Sequence, residues 1–140
     1  LAGAATWWVM GRRRRATAWY SKLDAVTKEA GWLVEQPVSS VVEAPSGSEM
    51  HLAWGEVSTR ISDVDQQLYR LRDTAPHATA QQRLDATRAA LDGLRTALLT
   101  LVEYVRAGAG TDEQRQQTVR VEQARAALRQ IIGASDRTSS

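Results

Sequence analysis

Residues 46–73 read SGSEMHLAWGEVSTRISDVDQQLYRLRD. Met50, Trp54, Val57, Ile61, Val64, Leu68 and Leu71 recur in this stretch at alternating spacings of four and three. That is the a/d seam of an amphipathic helix that buries one stripe against other helices. Ser46 and Glu49 have the spacing of a capping box, in which each side chain satisfies a free backbone N–H, so the helix starts near Ser46 or Ser48. It ends around residues 73–74, ahead of Pro76.

The same period runs on both sides of this helix. Downstream, a third helix over about 76–107 carries Leu84, Leu91, Leu94, Leu98, Leu101 and Val105, with polar Thr87 filling one position. Beside that seam lies a stripe of small residues, Ala86, Ala90, Gly93 and Ala97, also spaced four, three and four. Small side chains let another helix approach closely. Two readings of this stripe compete. It accommodates helix one of the same chain, or it is a docking groove for a partner helix or a second copy. Gly108 and Gly110 end helix three, since glycine tolerates the left-handed conformation at a helix C-terminus. Thr111 with Gln114 reads as a second capping box, and Asp112 and Glu113 put negative charge at the positive end of the new helix. Helix four carries Val121, Ala124, Leu128 and Ile131, and Gly133 is expected to stop it.

Upstream, Trp19, Leu23, Val26, Ala30 and Leu33 repeat at the same heptad spacing in a helix expected over about 6–35. Carried further back, that seam meets Arg15, Arg12 and Trp8, so the stripe that faces protein begins near Trp19. A break is expected over 36–47, where Pro37, Pro45 and Gly47 cluster. The short connections between helices two, three and four force antiparallel neighbours, and helix one returns through the longer linker. The fold class expected is all-α: an antiparallel three- or four-helix bundle whose long N-terminal helix continues from a truncated membrane span.

That last element rests on the opening residues. Positions 1–11 are uncharged and mostly apolar, and Arg12, Arg13, Arg14 and Arg15 follow. Trp7 and Trp8 precede the arginines. Tryptophan favours the headgroup level and Lys/Arg accumulate on the cytoplasmic side, so the order apolar, aromatic, basic reads as a membrane exit. An eleven-residue run cannot span about 30 Å of hydrocarbon, which takes about twenty residues, so the rest of a span is expected upstream of Leu1. A secretory signal fits poorly, because its charge precedes the apolar run. The domain organisation expected is residues 1–18 as the end of a membrane-spanning or interfacial helix with a basic collar, 19–133 as the bundle, and 134–140 as a disordered tail.

The net charge of +2 hides an asymmetry. Residues 1–22 carry Arg12 to Arg15 and Lys22 without an acid, a charge of +5, and the other 118 residues carry 13 basic and 16 acidic side chains, a charge of −3. A general nucleic-acid-binding surface would instead spread positive charge over the folded body. The absence of cysteine excludes disulfides, thiolate metal sites and a Cys nucleophile. His51 and His77 sit near the starts of helices two and three, at opposite ends of the bundle, so no shared metal site is expected. Asp63 and Asp65 diverge on a helix, no Glu-x-x-His occurs, and no glycine-rich loop follows a strand. These absences point away from an enzyme, with no catalytic residue, metal or cofactor expected. A helical enzyme or apolar-ligand carrier would need a cavity between the helices.

The function expected is a membrane-tethered helical bundle on the cytoplasmic side, acting as a protein-interaction or scaffolding module. Trp7, Trp8, Arg12, Arg13, Arg14 and Arg15 form its membrane interface, and Ala86, Ala90, Gly93 and Ala97 a candidate docking stripe. The partners expected are an anionic lipid bilayer and other proteins through helix faces, with self-association through residual heptad surface. The general plan resembles the soluble part of a single-span membrane protein, an analogy of architecture alone. The alternative is a soluble helical protein whose basic N-terminal arm binds nucleic acid or acidic partners.

Overall fold

A computed structural model describes the backbone of residues 2–139 and the side chains of residue 11 and of residues 13–133. Four α-helices follow one another: α1 (Ala2–Val42), α2 (Gly47–Arg72), α3 (Ala78–Arg106) and α4 (Thr111–Ser139). No strand occurs among the described residues. Trp19 and Glu29 of α1 bond Leu71 and Gln67 of α2, so these helices run antiparallel. Asp65 and Arg72 of α2 pair with Arg88 and Asp85 of α3 in the same sense. So do Glu35 and Ser39 of α1 with Arg129 and Arg125 of α4. The helices form a ring in which α1 touches α2 and α4, and α3 touches α2 and α4, with α1 and α3 on a diagonal. The architecture is a four-helix bundle.

The core is the set of stripes read from the heptads. Val57, Ile61, Val64 and Leu68 of α2 and Leu84, Leu91, Leu94, Leu98 and Leu101 of α3 are each no more than 2% exposed. Trp19, Val26, Ala30 and Leu33 of α1 join the same cluster. Trp54 and Val105, at the edges of their stripes, are half-buried and pack against it.

The ends of the helices depart from expectation in instructive ways. The expected break over 36–47 is only a short connection after Val42, and α1 runs straight through Pro37. Val34, Val38 and Val41 are fully buried. Their spacing extends the stripe of α1, and burying three valines outweighs the donor that proline removes from the Leu33 carbonyl. The Ser39 and Ser40 hydroxyls donate to the Glu35 and Gln36 carbonyls at 2.6 and 3.2 Å, adding side-chain bonds to the two carbonyls just before the proline. Ser46 caps α2 as its spacing suggests, accepting from the Glu49 N–H at 3.2 Å. The N-cap of α3 is His77, whose Nδ1 accepts from the Ala80 N–H.

Gly108 ends α3 at φ 75°. The Gly108 N–H donates to the Val105 carbonyl and the Ala109 N–H to the Tyr104 carbonyl, the paired bonds of a Schellman turn. Thr111 is the first residue inside α4, not its cap, and Gln114 Nε2 donates to the Ala109 carbonyl, so the expected capping box does not form. Gly133 does not stop α4, whose backbone stays helical to Ser139; the side chains of the expected tail, 134–140, lie outside the described residues. Among the described residues no helix is long and apolar enough to cross a membrane. The structure thus gives no support to the truncated membrane span expected to end within 1–18.

Candidate functional site

Trp19 is the first buried position along the described side chains, 4% exposed. Its indole Nε1–H donates to the Leu71 carbonyl at 2.8 Å, in the last turn of α2. That carbonyl, at the helix end, also accepts from the Thr74 hydroxyl at 3.4 Å, so the indole and Thr74 together satisfy an acceptor left by the end of α2. Tyr20 packs edge-on against Trp19, with ring centroids 5.0 Å apart, and its hydroxyl meets His77 Nε2 at 2.9 Å. Because His77 Nδ1 accepts the Ala80 N–H, the proton of the neutral ring sits on Nε2 and is donated to the Tyr20 oxygen. Two adjacent aromatic residues thus clamp α1 to both sides of the α2–α3 turn.

N-terminal to this clamp α1 continues past the end of α2 as helix. Arg13, Arg14 and Arg15 on it are exposed. No ion pair among the described residues involves them. The nearest acid in sequence, Asp24, is held by Lys28 at 3.1 Å. Trp7, Trp8 and Arg12, the rest of the expected interface, have side chains outside the described residues.

The small-residue stripe divides. Ala90 and Ala97 are half-buried and pack against the core, while Ala86 and Gly93 are exposed. A Cβ added at Gly93 would meet nothing within 4 Å. The stripe does not accommodate α1, as one reading expected, because α1 lies across the diagonal and the neighbours of α3 are α2 and α4.

Several charged side chains off the arm are committed to one another. Arg88 donates from Nε and Nη2 to Asp65 at 3.0 and 3.4 Å and lies over the Tyr69 ring. The hydrogen bond that Arg88 donates to Asp65 lifts the Arg88 pKa above its ordinary value. Arg72 pairs with Asp85 at 3.0 Å. These pairs wall an open groove of about 480 Å³ between α2 and α3, with Ile61 and Leu91 among its lining residues. A groove open to water and walled by charges does not enclose an apolar ligand. Asp63 is exposed and Asp65 is paired, His51 is exposed and His77 is a helix cap. Among the described residues no three His, Asp or Glu side chains gather to hold a metal ion.

A polar cluster that sequence reasoning missed joins α1 to α4. Arg125, 7% exposed, donates from Nη2 to Ser39 Oγ at 3.0 Å and from Nη1 to Glu122 at 2.8 Å. Arg129 forks onto both oxygens of Glu35 at 2.5 and 3.0 Å. That hydrogen bond, aided by the charges of Arg129 and Arg125, holds the Glu35 carboxyl below the usual glutamate range against a smaller opposing effect of burial. The only sequence signal was spacing: Gln117, Val121, Arg125, Leu128 and Ile132 trace a stripe that drifts off the strict heptad. The charged side chains of the cluster are paired with one another. The chain matches no protein-family model, and comparison with curated proteins and with solved structures yields no match either.

Proposed function

We propose that this chain is a membrane-tethered helical bundle on the cytoplasmic side, serving as a protein-interaction or scaffolding module, with the arginine arm of α1 as its contact to anionic lipid. One observation carries the reading: Arg13, Arg14 and Arg15 stand exposed on helical turns beyond the bundle, with no acid paired to them among the described residues. Arginines near an anionic leaflet contribute about 1 kcal/mol each, so three of them supply roughly a 150-fold preference over a neutral surface. The rest of the chain carries a net charge of −3 and adds nothing to that attraction. The positive-inside bias favours the cytoplasmic side. Partner proteins would use the exposed helix faces, Ala86 and Gly93 of α3 among them.

Flotation of the full chain with vesicles tests this. Vesicles of phosphatidylcholine with about 30% phosphatidylserine should carry the protein, and phosphatidylcholine alone should leave it behind. Retention on duplex DNA or single-stranded RNA with no flotation on either vesicle would replace this reading with the nucleic-acid one.

A further inference from the structure

The bundle is charge-polarised along its length. Its two ends are the arm end, with the α2–α3 turn, and the far end, with the α1–α2 and α3–α4 connections. Within about six residues of the far end lie Glu43, Glu49, Glu103, Asp112 and Glu113, all exposed. Only Arg106 and Arg115 oppose them there. At the arm end the balance reverses: Lys22, Arg70, Arg72 and Arg83 stand against Asp24, Asp73 and Asp85, the last paired with Arg72. Arg13, Arg14 and Arg15 extend that positive end along the arm.

Two further observations tie this polarity to a direction. Arg13, Arg14 and Arg15 are consecutive, so at 100° per residue they spread over more than half the circumference of α1 within one turn. A helix lying flat on a surface needs its basic residues on one face, whereas a helix standing upright can use them as a ring. The arm is also not hinged freely to the bundle. It is continuous with α1, which Trp19 and Tyr20 fasten to Leu71 and His77 at the α2–α3 turn.

Resting on the anionic-surface reading above, we propose that the bundle stands upright on an anionic lipid surface, with the α2–α3 turn near the headgroups and the acidic α1–α2 and α3–α4 connections pointing away. The surface potential acts over about 8 Å at physiological salt. The 26 residues of α2 make the bundle about 40 Å long. Upright, only the arm and the basic end lie within reach of the lipid charge. Laid flat, the bundle would bring those of its five far-end carboxylates that lie on the contacting face into the same repulsive field.

The absence of cysteine makes the orientation measurable on the full chain. Thr74→Cys at the α2–α3 turn and Ala107→Cys at the α3–α4 connection are both exposed positions for a fluorescent donor. The acceptor is a labelled headgroup lipid in the phosphatidylserine vesicles used for flotation. Energy transfer from the Thr74 position should exceed that from Ala107 by at least about twofold, given the roughly 40 Å between the ends. A second pair, Asp73→Cys and Gly110→Cys, should give the same order. Bound protein with equal transfer from both ends, or with more from Ala107, overturns the upright arrangement while leaving the anionic-surface reading intact. Failure of the labelled chains to float overturns that reading, and the arrangement with it.

Discussion

The α2–α3 interface and the α1–α4 interface are built from different materials. Along α2 and α3 the facing stripes are aliphatic and sealed, and the charges sit outside as the Asp65–Arg88 and Arg72–Asp85 pairs. Along α1 and α4 the contact is shorter, and its midpoint is the buried Arg125 with Glu35, Ser39 and Arg129 around it. Arg125 Nε and Gln117 Oε1 are buried there without a hydrogen-bond partner among the described residues. An aliphatic seam gains stability from every ångström buried, whereas a buried guanidinium recovers its desolvation only through well-made hydrogen bonds. Of these two interfaces, α2–α3 therefore contributes the larger share of stability. The α1–α4 contact chiefly fixes which residues of the two helices stand opposite each other.

The largest expected effect lies in the aliphatic half. Leu94 is fully buried, and Leu94→Ala should cost about 2–5 kcal/mol in urea unfolding. A loss under about 1 kcal/mol would erase the contrast between the two interfaces. Next is Pro37→Ala in α1, which restores a donor to the Leu33 carbonyl and removes the ring from a helix interior. It should stabilise by about 1–3 kcal/mol, read as a higher Tm. An unchanged or lower Tm would mean that α1 is shaped around the proline.

Arg125→Met should change stability by less than about 1 kcal/mol in either direction, because Glu35 keeps Arg129 and no buried charge is orphaned. A loss as large as that of Leu94→Ala would make the polar cluster a main support of the fold. The smallest effect is a pH dependence at Glu35. Its folded pKa is depressed, so its contribution is present above the unfolded value of 4.5 and is lost as pH falls through the lower folded value. The side chain is half exposed, so Glu35→Gln should lower stability by only about 0.2–1 kcal/mol at neutral pH, with the gap closing in acid. A gap that persists in acid would show that the carboxylate charge is not its source.

The same division decides what was legible in the sequence. The stripes of α2 and α3 keep the heptad spacing with mostly large apolar residues, and every position read from them is buried or half-buried. Gly108 was legible because a left-handed helix end has few alternatives to glycine. Pro37 was misread because a local breaker was given more weight than the valines that continue the stripe on its far side. Arg125 was hidden because one arginine beside an apolar seam looks solvated, and only the drift of α4 turns it inward. The arginine block announces itself by composition. The Trp19–Leu71 and Tyr20–His77 bonds that hold the arm to the bundle join residues more than fifty positions apart, and no pattern in the sequence links them.

The account turns on whether the arm makes the surface contact. The deciding measurement is the partition coefficient of the full chain onto phosphatidylserine-containing vesicles, with Arg12, Arg13, Arg14 and Arg15 intact or all replaced by glutamine. At about 1 kcal/mol per arginine the replacement should weaken partitioning by roughly a thousandfold at low salt, and by less as salt rises. Equal partitioning of the two proteins would contradict the role assigned to the arm.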